Sequence, residues 1–240
     1  DRFELSMLDS LMTALNAFAP QAIAVERLPG RQVAAMERWG GRLDEINQRY
    51  AGPSLHHGHL VRKETGWTWS QANQRADSLL TRARSDSLAF SATSRLSLIR
   101  SLTAAYRMTT AALQWRYLSP EDRSSQALLP DTTARWLNSR LDAATETHSI
   151  GTRLAHRRGH QRVYPMDYQA EHDLMVDIDS LYDASMKPIR KGLMGNSTIR
   201  RTFSLEKSGL QSGSLLPLYR HMNSEAWGHA RVDLHWKELL

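Results

Sequence analysis

Apolar residues recur at helical spacing over most of the chain and give way to strand-like runs at two places. Between Phe3 and Phe18 they fall at Leu5, Leu8, Leu11, Met12, Leu15 and Phe18, the 3.6-residue period of an amphipathic helix. Pro20 ends that helix. Ala22–Val25 follows as a short apolar run between turn signals, which reads as a buried strand of a parallel or mixed sheet. The run stops on Glu26 and Arg27, and Pro29-Gly30 then turns the chain. Helical spacing resumes over Arg31–Tyr50, with Val33, Met36, Trp39, Leu43 and Ile46 on one face and Gly40-Gly41 marking a kink. Ala51–His59, with its Gly, Pro, Ser and three histidines, reads as a loop.

From Thr68 the pattern is helical for a long way: Ser70–Ser85, Ser94–Tyr117, a turn opened by Ser119-Pro120, Pro130 to about Ala144, and Ser149 to about Arg158. Gln161–Asp167 is the second strand candidate, and Pro165 puts it at a strand end or sheet edge. Ala170–Met186 is helical with Leu174, Met175, Ile178 and Leu181 inward. Gly192–Gly213 reads as a loop holding a short helix over Thr198–Lys207, and Leu215–Met222 and Ala230–Leu240 read as helices. The expected fold is therefore α/β and predominantly helical, a small central mixed sheet wrapped by many helices. It is expected as one domain over residues 1–240, with 68–160 an all-helical insertion. Two strands do not make an independently stable sheet, so further strands are expected here, outside this chain, or from a partner.

Composition narrows the chemistry. A length of 240 residues, 41% of them hydrophobic, can bury a substantial core. The absence of Cys excludes disulfides, thiolate metal sites and cysteine nucleophiles. No apolar run approaches a membrane span. The formal charge is +6 and the basic residues are mostly arginine, whose planar fork suits carboxylates and phosphates as well as solvated helix faces. The basic stretch Arg153, His156, Arg157, Arg158, His160 and Arg162 lacks interleaved aromatics and any nucleic-acid motif, so a solvated surface is favoured and no nucleic-acid partner is expected. There is no P-loop, GxGxxG, GxSxG or kinase motif.

Glu26 and Asp167 lead the candidate site residues, each at the carboxyl end of a strand, where ligands of open α/β sheets gather. On adjacent parallel strands the two carboxylates would lie within several ångströms, fit to hold a divalent metal or to share acid and base roles; the plainer reading is helix capping or pairing with arginine. His56-His57-Gly58-His59 offers imidazoles to a metal but lacks HExxH spacing, and a solvated loop is the alternative. In Asp167–Asp173, Glu171 and His172 fall at the start of the next helix, where carboxylates complement the dipole. A divalent metal would draw its ligands from Glu26, His59 and His172.

Phe18–Glu26, preceded by its amphipathic helix, resembles the helix, strand and glutamate segment of the TraB/GumN/Tiki and erythromycin-esterase-like superfamily, and is most similar to its bacterial DUF5694-like branch. Arg162–Asp167 resembles that branch's later strand ending in aspartate. The resemblance covers these two segments and the helical content between them. It implies a mixed sheet wrapped by helices, with a pocket of one glutamate and two GxxH motifs. It also implies a hydrolase-like or haem-related activity, metal-dependent in some members, on a small-molecule or peptide substrate. Glu26 is then the metal ligand or general base and Asp167 its support. No GxxH occurs in the 240 residues, so both motifs are expected on segments before and after this chain. The start on Asp1, directly in a helix, fits a processed form or a portion of a longer chain; with the resemblance it points to a periplasmic or secreted location. The alternative is a non-enzymatic helical binding or interaction protein whose acids serve as caps.

Overall fold

The computed structural model describes residues 4–39, 44–86, 89–124, 128–167, 187, 192 and 195–239. Gly40-Gly41, the helix expected over Ala170–Met186, Glu171 and His172 lie outside them. The chain divides into two compact units, Leu11–Tyr168, and Asp1–Ser10 with Gln169–Leu240.

The first unit runs from within the helix α1 (Asp9–Phe18) through β1 (Ala24–Val25), α2 (Gly30–Trp39), α3 (Asp44–Thr65), α4 (Trp69–Ser85) and α5 (Ala92–Ala104). It continues with α6 (Met108–Arg116), α7 (Pro120–Ser124), α8 (Asp131–Ser139), a π-helical stretch Thr147–Thr152, α9 (Arg153–Arg157) and β2 (Tyr164–Pro165). The architecture is the expected one, predominantly helical α/β with a small sheet.

That sheet is a parallel pair in the register Ala24↔Tyr164 and Val25↔Pro165. Tyr164 N–H donates to the Ile23 carbonyl (2.9 Å) and Met166 N–H to that of Val25 (3.0 Å). Both strands are shorter than their sequence patterns. Pro165 has no N–H to give, and the Val25 carbonyl also accepts from Arg27 N–H (2.9 Å), which bends the chain at Glu26. The free side of β2 is satisfied by a helix. Thr110 of α6 donates its hydroxyl to the Val163 carbonyl (3.1 Å) and accepts from Val163 N–H (3.4 Å), and one turn on Gln114 Nε2 donates to the Gln161 carbonyl (2.7 Å). Side chains four apart on a helix thus stand where a third strand would be, so a two-stranded sheet can persist.

The main core lies among α4, α5, α6 and α8, around Leu80, Leu98, Ile99, Leu102, Trp115 and Leu137. Trp115 is fully buried, and its indole N–H is spent on Asn138 Oδ1 (2.9 Å). A second cluster joins Val33 and Met36 of α2 to Ala51 and Leu55 of α3 and to Tyr106.

Two expectations are corrected here. Ala51–His59 is not a loop but the middle of α3, with Pro53 inside the helix. Ala51, Leu55 and Gly58 form a buried face at spacings of four and three, and that packing outweighs the turn signal of Gly-Pro-Ser. Nor is Ser94–Tyr117 one helix. It breaks between α5 and α6 at Tyr106, which adopts the left-handed conformation (φ 62°). Arg107 N–H reaches back to the Leu102 carbonyl (2.8 Å), closing α5 as a glycine normally would.

Among the described residues of the second unit, Leu216–Met222 is helical as expected, while Ser197–Ser212 and Glu225–Leu239 are longer helices than those expected over Thr198–Lys207 and Ala230–Leu240, the first filling most of the loop expected over Gly192–Gly213. Asn196 Oδ1 caps the first by accepting from Thr198 and Ile199 N–H, and Gly213 (φ 71°) ends it. Ser204 and Ser208 turn back onto the carbonyls of Arg201 and Leu205, so its serines do not oppose the helix. Among the described residues no helix is long and apolar enough to cross a membrane.

Candidate functional site

In the first unit a cleft of about 470 Å³ opens where the starts of α2 and α6 meet α4 and β2. Gly30 permits that meeting. A Cβ there would collide with the Ala105 carbonyl and lie 3.2 Å from Arg107 Cγ, so only glycine lets α2 begin against the α5–α6 corner. The Pro29 carbonyl takes the N–H groups of Gln32 and Val33. Those of Arg31 in α2 and of Met108, Thr109 and Thr110 in α6 make no hydrogen bond among the described residues, and all four residues line the cleft.

Three arginines and one aspartate share this space. Arg107, 11% exposed, donates from Nη1 to Asp77 Oδ1 (2.5 Å), while its Nη2 is buried with no acceptor among the described residues. Arg162 lies with Cζ 4.6 Å from the ring centre of Tyr164. Burial lowers its pKa, and the neighbouring cations Arg107 and Arg84 lower it further. Arg31 is exposed at the mouth. Trp69 also lines the cleft, its indole N–H on the Ala105 carbonyl (3.2 Å).

The corner that carries Arg107 is held from behind. Tyr106 Oη donates to Glu37 Oε2 (2.7 Å), and Glu37 Oε1 also takes Arg62 Nη2 (2.5 Å) and His59 Nε2 (2.6 Å). Burial pushes the Glu37 pKa up, but the bonds from Arg62, Tyr106 and His59 outweigh it and leave the carboxyl below its ordinary range. Burial and the bond to Glu37 push the Tyr106 phenol well up. Gly58 lies under the Tyr106 ring, where a Cβ would not fit.

The carboxylates singled out in the sequence stand beside this cleft without lining it. Glu26 is exposed at the bend that ends β1. Asp167 is partly buried, and its N–H donates to the Arg27 carbonyl (3.2 Å), so Asp167 stands across from Arg27 in the ladder. His59 lies on α3, half-exposed and bonded to Glu37. His172 is outside the described residues, among which no three His, Asp or Glu side chains group to hold a metal.

Arg27 Nε donates to Thr147 Oγ1 (3.2 Å) at the start of the π-helical stretch. The next residue, His148, is buried, and its Nδ1 has no partner among the described residues. Burial first, then Arg140, Arg27 and Arg116, push its pKa down to about 4. His57 is also pushed down to about 4, by burial and then by His56 and Arg140, and its Nδ1 meets Thr133 Oγ1 (3.2 Å).

Sequence reasoning reached Arg31 and Arg162 as parts of its first strand–turn stretch and its basic run. It missed Arg107 and Asp77, which sit inside patterns that read as uninterrupted helix, and Trp69 just before one of them. The one signal was charge: Arg107 is a cation set among apolar and small residues from Leu102 to Leu113. A scan against models of known protein families found no match, and neither did searches of curated proteins and of solved structures.

Proposed function

We propose that the cleft at the start of α2 and α6 binds a small anionic ligand, a carboxylate or a phosphate, and that the chain works as a binding protein for it. Arg107 carries the proposal, a mostly buried guanidinium with one nitrogen on Asp77 and the other left without an acceptor among the described residues. A buried donor without a partner costs roughly 1–3 kcal/mol, which an oxyanion that comes within hydrogen-bond reach of Nη2 would recover. The free first-turn amides of two helices add to the attraction, each helix terminus by about 0.3–1 kcal/mol. Isothermal titration with inorganic phosphate and with succinate tests this. We expect saturable binding of one of them that weakens about tenfold or more in Arg107→Gln and more modestly in Arg31→Ala. Binding that is equal in the wild type and Arg107→Gln would refute it.

The hydrolase-like reading implied by the superfamily resemblance is a second proposal. Its support is the placement of Glu26 and Asp167 just beyond the two paired strands. In it Glu26 is general base or divalent-metal ligand and Asp167 its support, acting on a small molecule or peptide outside the cytoplasm. Glu26→Gln should then keep its fold and lose turnover or metal affinity. Unchanged activity across a hydrolase panel, with unchanged metal affinity, would exclude it.

A further inference from the structure

A second cleft, of about 290 Å³, adjoins the first and is lined by Gln21, Arg84, His160 and Gln161 among others. Arg162 and Tyr164 line both clefts, so this pair stands between the two. Arg84 Nη2 lies 3.4 Å from Tyr164 Oη, and Arg162 lies over the Tyr164 ring. Among the described residues no carboxylate lines the second cleft. In the first, Asp77, the one carboxylate among its described lining residues, is already engaged by Arg107. Arg31, Arg107 and Arg162 thus line the first cleft and Arg84 and Arg162 the second, with one aspartate among these described residues. Arg162 stands in the middle, close enough to Arg107 on one side and Arg84 on the other for both to disfavour its charge. Such a row of like charges, held by the fold at a cost, is relieved most by anions placed on both sides of the ridge.

Building on the anion-binding reading above, we infer that the natural ligand carries two anionic groups. One sits at Arg107 in the first cleft, the other at Arg84 in the second, and its connecting segment crosses the ridge of Tyr164 and Arg162. The class is that of small bisphosphates or phosphate-bearing carboxylates, since each cleft has room for one such group.

The test uses the full chain at physiological ionic strength and compares inorganic phosphate, pyrophosphate, tripolyphosphate and the α,ω-bisphosphates of propanediol, butanediol and hexanediol by calorimetry. Joining two anions that fit both subsites should raise affinity by about tenfold or more over phosphate for at least one length. Arg84→Ala, at an exposed position, should erase that gain while leaving phosphate binding within about twofold. Arg82→Ala removes the same charge from the same helix without touching either cleft, and should leave both unchanged. The inference is overturned if no bisphosphate exceeds phosphate, or if Arg82→Ala erases the gain as fully as Arg84→Ala does. Phosphate binding with no gain from bisphosphates would overturn this inference alone. Binding of neither kind of ligand would overturn the anion-binding reading with it.

Discussion

Glu37 tests how the cleft is held in place. In Glu37→Gln the amide keeps its shape but loses its charge, and one of its two oxygens becomes a donor facing another donor. The carboxylate now takes Arg62 at 2.5 Å, His59 at 2.6 Å and Tyr106 at 2.7 Å. Its side chain is 27% exposed and that of Arg62 15%, so solvent screens the pair only in part. His59 is half-exposed and contributes little, about 0.5 kcal/mol or less. The Arg62 and Tyr106 bonds contribute roughly 1 kcal/mol each, so the substitution should cost about 2 kcal/mol. For a unit of this size that is a fall in Tm of roughly 4–8 °C. Tyr106→Phe should cost about 1 kcal/mol, and the double variant should cost less than the sum, because both remove one bond. The Glu37 pKa is lowered on folding. Its contribution is therefore full above the ordinary carboxylate value of 4.5 and is lost as pH falls through the lower folded value. Urea melts at pH 7 and in steps below pH 4.5 follow this. A loss under about 0.5 kcal/mol at pH 7, or strict additivity with Tyr106→Phe, would refute the reasoning.

Gly30→Ala should cost about 1–3 kcal/mol, since the Ala105 carbonyl it would strike is backbone and cannot swing aside. It should also weaken phosphate binding by displacing α2 from α6; a wild-type melt and affinity would count against the role given to Gly30. His148 is neutral in the folded protein, its pKa lowered from 6.5 to about 4, so it contributes no penalty above pH 6.5 and destabilises progressively from pH 6.5 down to 4. The shift corresponds to a loss of up to roughly 3 kcal/mol at the acid end. His148→Leu should flatten the stability–pH curve in that window, leaving the part due to His57 and His156, whose pKa values burial also lowers, and a slope equal to the wild type would argue against a buried neutral imidazole.

The fold class, the strand positions and most helices were legible because they are written in local spacing. Leu5 to Phe18 and the apolar run to Val25 could be read directly. What could not be read is where packing overrules a local signal. Gly52-Pro53 breaks chains in most settings, but Ala51, Leu55 and Gly58 give α3 a face narrow enough to admit Tyr106. Tyr106 itself is a poor helix terminator, and its left-handed backbone follows from Glu37 and Arg62, residues far from it in sequence. The carboxylates at the strand ends were visible as residues, but the register that sets Asp167 across from Arg27 was not. Arg107 was hidden for the reason Tyr106 was, since the break between α5 and α6 that makes it a cleft residue leaves no local mark.

The pairing of Ala24 with Tyr164 closes a loop of about 140 residues around helices whose own contacts are mostly short in sequence. Closing so long a loop costs entropy that only the finished packing returns, so β1 and β2 should meet late, after α3 to α6 have assembled. During synthesis the ribosome must release β2 before the pair can form, and until then β1 waits as an unpaired apolar segment beside its helix. Because Arg31 and Arg162 arrive on opposite ends of that loop, anion affinity would be the last property the unit acquires. It would serve as a reporter of complete folding where helix content, gained earlier, would not.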